Sequence, residues 1–203
     1  MKKHLEKQIN TLMKVVESLD GDGLTKFTNS ITRTIKNNGS IIVSGLGKNV
    51  PICEKFVGTL ISLGIRAYFL HTDSALHGDL GLVRKGDIVI ILSKSGETSE
   101  SVKLVHYLMQ RNVNIWLLTC KNESTMGKLI DNKIVLNLDH EGDPWNVVPN
   151  NSSIAFLMIL QGLAMQLIDE LNISLETFKN NHPGGYIGFI LGGSEAYEEN
   201  KNL

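Results

Sequence analysis

The spacing of hydrophobic positions changes several times along the chain, and each change marks an element. Leu5, Leu12, Val15, Val16 and Leu19 recur at helical spacing, and a second helix is predicted over Gly23 to Lys36, ended by Asn37-Asn38-Gly39. Short aliphatic runs then alternate with helical stretches. Ser40 to Ser44, Arg66 to Leu70, Asp87 to Leu92, Asn114 to Thr119 and Lys133 to Leu138 read as strands. Pro51 to Leu63, Ser99 to Arg111, a short segment near Ser124 to Ile130, a long one from about Asn151 to Leu171 and a shorter one from Ser174 read as helices. Ile88 to Leu92 is unbroken β-branched and aliphatic, as expected of an interior parallel strand covered on both faces. This alternation predicts an α/β protein, a three-layer αβα sandwich around a parallel sheet. No repeat, linker or low-complexity tract divides the chain. We expect a single domain over residues 1–203, with N-terminal helices at 1–38, the sheet domain at 39–192 and a frayed tail at 193–203 carrying Glu195, Glu198 and Glu199.

Composition narrows the picture without naming a chemistry. A chain of 203 residues, 42% hydrophobic and 20% charged, suits one globular domain. Its net charge of -1 argues against nucleic-acid and anionic-membrane partners, which ordinarily need a basic face. Cys53 and Cys120 lie far apart in apolar surroundings with no Cys/His cluster of metal-ligand spacing, so buried free thiols are expected. Met1 to Leu19 lacks the continuous apolar run of a signal peptide, and Ile154 to Ile168 is shorter than the roughly 20 residues that span a bilayer. A core helix and a cytoplasmic protein are the expectation.

Candidate chemistry gathers where strands end. Ser93-Lys94-Ser95-Gly96-Glu97-Thr98-Ser99-Glu100 follows the strand at Ile88 to Leu92 and opens a helix. Unpaired N–H groups and the helix dipole there hold a phosphate with few basic residues, and ligands of open α/β sheets sit at carboxyl strand ends. Taken alone, the same residues would merely cap a helix. A second turn, Ser44-Gly45-Leu46-Gly47-Lys48-Asn49, lacks the third glycine of a dinucleotide fingerprint and the pattern of a Walker loop. It brings one cation, Lys48, to the sheet edge. His71, His77 and Asp79 fall after the second strand and His182 in His182-Pro183-Gly184-Gly185; their spacings match no standard metal motif, and the near-neutral pKa of histidine suits proton transfer. His4, His106 and His140 receive no role. Glu100, with Glu97 as its competitor, and Glu141 are candidate bases, a task that calls for a carboxylate or histidine held near the reacting carbon with its pKa raised in a partly dry site.

Gly45-Leu46-Gly47-Lys48, His77-Gly78-Asp79-Leu80-Gly81, the Ser93 to Glu100 segment, Glu141-Gly142-Asp143-Pro144 and His182-Pro183-Gly184-Gly185, in this order, resemble the sugar-isomerase (SIS) domain of arabinose-5-phosphate isomerases, over roughly residues 30 to 192. The resemblance implies a five-stranded, flavodoxin-like parallel sheet, a homo-oligomer (tetramer or dimer) with sites near subunit boundaries, a phosphosugar substrate, and interconversion of D-ribulose 5-phosphate and D-arabinose 5-phosphate. It assigns Lys48, Glu100, Glu141 and His182 to catalysis, His77 to the substrate, and Ser93, Ser95 and Thr98 to the phosphate, with Ser44, Gly45 and Gly47 alongside them in the binding turn. It implies no metal and no cofactor. The chain has no room for the paired cystathionine-β-synthase module that commonly follows this domain, so regulation through one is not expected. Where relatives carry Cys-Pro-Leu-Gly-Leu-Ala-Pro-Thr-Ser-Ser, this chain has Asp143 to Ser152, and Trp145 and Asn146 are expected to reshape the sugar pocket. An isomerase of another sugar phosphate, a non-catalytic phosphosugar sensor and a phosphosugar lyase stay open as alternatives. The absence of a helix-turn-helix segment disfavours a transcription regulator.

Overall fold

The computed structural model describes residues 1–192; the tail expectation for 193–203 lies outside the described residues. Two helices, α1 (Lys2–Glu17) and α2 (Gly21–Lys36), precede the sheet. The Asp20 carboxylate accepts the amide of Asp22 at 3.1 Å and so starts α2 two residues earlier than the apolar pattern suggests. The strands are β1 (Ile41–Gly45), β2 (Ala67–Phe69), β3 (Ile88–Leu92), β4 (Asn114–Thr119) and β5 (Lys133–Val135). Helices α3 (Val50–Ser62), α4 (Ser99–Met109), α5 (Thr125–Leu129), α6 (Asn151–Glu170), α7 (Leu175–Asn180) and α8 (Gly185–Ile190) complete the order. All strands are parallel in the sequence β2-β1-β3-β4-β5, a doubly wound sheet with its switch point between β1 and β3.

Strand alternation sorts the core into two layers. Ile41, Val43, Ile88, Ile90, Leu92, Trp116 and Leu118 face α2, α3 and α6, while Ile42, Val89, Ile91, Ile115 and Leu117 face α4 and α5. Both edge strands are three residues long, shorter than their apolar runs. Leu70 and Leu136 still donate amides across to Val43 and Thr119, so the runs continue pairing past the regular strand. By length and composition α6 would cross a membrane, yet it buries nine residues, among them Phe156, Leu160 and Leu167, and packs on α1, α2 and α3 as a core helix. Of the α1 residues, only Val15 is fully buried; Leu5, Ile9, Met13 and Val16 stay about half exposed along one face. Cys53 is buried and Cys120 half-buried, both as free thiols.

Candidate active site

The turns after β1 and β3 lie side by side at the switch point, because Gly45 and Leu92 are register partners. Asn49, in the short 3-10 turn Gly47–Asn49, donates its side-chain amide to the Leu92 carbonyl at 3.1 Å and ties the turns together. A Cβ on Gly45 would come within 2.9 Å of Asn49 Cβ and 3.0 Å of Cys53 Sγ, so only glycine permits this approach. Lys48 is exposed beside it.

The turn after β3 builds itself from its own hydroxyls. Ser93, almost fully buried, accepts the Gly96 amide at 3.1 Å, and Ser95, exposed, accepts the Glu97 amide at 3.2 Å. Both hydroxyls keep their O–H as a donor. Gly96 has φ +66°, and a Cβ there would sit 2.0 Å from Ser124 Oγ, so the turn admits no other residue without rearrangement. Glu97 does not face a substrate: it accepts the Thr125 amide at 2.8 Å and the Thr125 hydroxyl at 2.7 Å, latching the turn to α5. That hydroxyl and amide hold its carboxyl below the usual range. Thr98 caps α4 by position only, with no side-chain capping bond.

Glu100 lies exposed in the first turn of α4, where it accepts the Ser99 hydroxyl at 2.9 Å. Its own backbone amide first, then Ser99, lower its pKa, while the charge of Asp73 pushes the other way. Asp73 belongs to the turn after β2, where it pairs with His71, so that turn reaches the same edge. His77 is exposed nearby in the chain at Ala75–His77.

Glu141 is the opposite case. Its side chain is fully buried. One carboxylate oxygen accepts the Lys94 ammonium at 2.7 Å and the Ser152 hydroxyl at 2.5 Å; the other accepts the amides of Asn150 at 3.0 Å and Ser152 at 2.9 Å. Burial pulls the carboxyl up, but Lys94, Ser152 and Asn150 outweigh it and hold it below the ordinary range. Neither carboxylate therefore has the raised pKa expected of a base in a dry site. The loop between Glu141 and α6 is organised by Asp143, whose carboxylate accepts the amides of Trp145, Val147 and Val148, and by Asn146, at φ +59°, whose side chain accepts the Glu141 amide at 2.8 Å. Trp145 projects outward, 74% exposed.

Two assignments from the sequence meet a different geometry. Ser44 is fully buried; it lies on the same strand face as Ile42, and its hydroxyl donates to the Leu70 carbonyl at 2.8 Å and bonds Thr72 Oγ1 at 2.9 Å, holding the turn after β2 instead of facing a ligand. His182 is not gathered with the others. Its Nδ1–H donates to the Phe178 carbonyl at 2.8 Å, its ring stacks on Phe178 at 4.0 Å, and it lines a cavity with Lys55, Thr59 and Ser62. That is the middle and end of α3, a helix about 20 Å long that begins next to Lys48. Sequence reasoning gave Lys94 no role. Its signal, a lysine between two turn serines, is uninformative until the fold supplies Glu141. Among the described residues no three His, Cys, Asp or Glu side chains converge as metal ligands would.

A doubly wound parallel sheet with a serine-rich turn at its switch point defines an α/β class whose ligands sit at the carboxyl ends of the strands. Residues 34–165 match the SIS domain family, and the chain belongs to it. It is 33% identical over 162 residues to arabinose 5-phosphate isomerase KdsD of Yersinia pestis, covering 80% of this chain and 49% of that protein. It is 38% identical over 161 residues to an uncharacterised protein of Chlamydia pneumoniae, covering 79% and 49%. The chain thus spans about half the length of the curated relatives it matches. Among solved structures it resembles E. coli CFT073 c3406 in complex with arabinose 5-phosphate, with a TM-score of 0.84, 25% identity, and coverage of 90% of this chain and 95% of that one.

Proposed function

We propose that this protein is an aldose–ketose isomerase of phosphosugars that interconverts D-arabinose 5-phosphate and D-ribulose 5-phosphate. The observation that carries the reading is the convergence, at one switch point, of a phosphate-type turn, a lysine and an accessible carboxylate: Ser93 to Thr98, Lys48 and Glu100. The substrate is suggested by the KdsD relatives and the arabinose 5-phosphate complex.

Ser95, Thr98 and the free amides of α4 hold the phosphate. In the open-chain aldose, Glu100 takes the proton from C2 as the C1 carbonyl oxygen gains charge. Lys48 stabilises that oxyanion. The C2 hydroxyl proton passes to the C1 oxygen, and protonated Glu100 returns its proton to C1, which leaves the ketose and the carboxylate as it began. Glu141 is the poorer base because its four acceptor positions are filled and its carboxylate is sealed. The site is completed by a second copy of the chain that brings His182 to it and excludes water from Glu100. This reading is supported by the docking of His182 along α3 and by exposed Leu76, Trp145, Val147 and Val148 in the loops of the Glu100 edge. We keep the expectation of a cytoplasmic homo-oligomer.

The test is conversion of D-arabinose 5-phosphate in D₂O without added metal, followed by NMR. Deuterium incorporated at the carbon of the ketose that receives the proton supports the enediol route. Intact binding of the sugar phosphate without turnover would instead make the protein a sensor or an isomerase of a different sugar.

A further inference from the structure

Lys94 stands between the two serines of the phosphate-type turn, but its ammonium lies on Glu141, at 2.7 Å. The lysine side chain is 39% exposed and the glutamate fully buried, so the pair spans the boundary between the turn and the protein interior. The backbone at this point is tied to the strand beside it: the Lys94 carbonyl accepts the Cys120 amide at 3.0 Å and the Thr119 hydroxyl at 3.2 Å. A sealed carboxylate therefore sits one ammonium away from a turn built to receive a dianion. Like charges at the edge of a protein interior repel with less screening than in water.

We propose that Lys94 is a charge-compensating positioning residue, which cancels the buried Glu141 carboxylate so that the adjoining turn accepts a phosphate. Its action runs through Glu141. A lysine that served only as a direct phosphate ligand would be needed whether or not Glu141 carried charge. A lysine that served only the fold would change stability and leave phosphate affinity alone. The inference rests on reading the turn as a phosphate cradle, and it does not need the isomerase chemistry.

The experiment measures the Kd of inorganic phosphate and of D-arabinose 5-phosphate by calorimetry, with D-arabinose as the uncharged control. Lys94→Met is expected to weaken both phosphates about tenfold, the size of one unit-charge interaction across several ångströms at a partly buried site. Glu141→Gln is expected to tighten them, Lys94→Arg to keep them near wild type, and the pair Lys94→Met with Glu141→Gln to return within about threefold, because the net charge beside the turn is then unchanged. A double variant as weak as Lys94→Met would make Lys94 a direct ligand and overturn the proposal, as would a Lys94→Met protein with wild-type affinity. Should Lys94→Met not fold, Glu141→Gln and the double variant still decide. A wild-type protein that binds both phosphates without turnover contradicts the isomerase reading alone; one that binds neither overturns both.

Discussion

Glu100 and Glu141 belong to loops at one edge of one sheet, and they are held in contrasting ways. Glu100 is exposed, touched by Ser99 and its own amide, and free to meet a ligand. Glu141 is sealed, with four donors on two oxygens, two of them amides at the start of α6. A carboxylate needs vacant acceptor capacity to take a proton from carbon, whereas one that uses all its capacity on the protein works as a scaffold. At one sheet edge, then, one carboxylate keeps acceptor capacity for a ligand and the other spends all of it on the protein.

The largest expected effect breaks the comparison from the Glu100 side. Glu100→Gln should lower turnover by at least about a hundredfold while phosphate binding and melting temperature stay at wild-type values, as read by NMR kinetics, calorimetry and thermal denaturation. Next, mixing Lys48→Met and His182→Ala proteins, each inactive alone, should restore turnover, since a shared site pairs an intact half from each; mixtures that stay inactive would return His182 to a structural role. Glu141→Gln should act on stability first. Lys94 is 39% exposed, so its unpaired ammonium is screened by water, and the loss of its partner costs about 1 to 2 kcal/mol, which in a chain of this size lowers Tm by roughly 2 to 8 °C.

The pH dependence sharpens the contrast with smaller effects. Glu141, Glu97 and Glu100 all have lowered folded-state pKa values, so the unfolded chain binds their protons first. Their stabilisation is fully present above about pH 4.5 and is lost as pH falls below it. Glu141→Gln should flatten that acid limb more than Glu100→Gln does. At the alkaline end the sign reverses. Burial pushes the Cys53 thiol up to about 12 and Cys120 up to about 11, so the unfolded chain ionises first, near pH 8.5, and stability declines above it. Both thiols should resist alkylation in the native protein at pH 7, measured by mass spectrometry against a denatured control.

Much of the fold was legible because period and polarity coincide with burial. β3 was readable as an interior strand from five aliphatic residues, and β1 and β3 are the fully buried strands. The switch-point turns were readable from serine and glycine at strand ends. The short 3-10 turns at Ala75–His77 and Asp79–Leu82, and α8, were not, since a few residues carry no period and tertiary contacts decide them. Ser44 misled because a strand residue's facing depends on register: one residue further along, it would point into the other layer. The Lys94–Glu141 pair joins residues 47 positions apart, brought together by strand order and by no local pattern. Likewise, His182 is fixed by the docking of Asn181 on the Ser62 carbonyl at the end of α3.

The most direct test of the division between the two carboxylates compares solvent-deuterium incorporation into D-arabinose 5-phosphate by Glu100→Gln and Glu141→Gln, well below their melting temperatures. The account predicts that incorporation is abolished in Glu100→Gln and persists, slowed, in Glu141→Gln. Persistence in Glu100→Gln with abolition in Glu141→Gln would contradict it and make the sealed carboxylate the base.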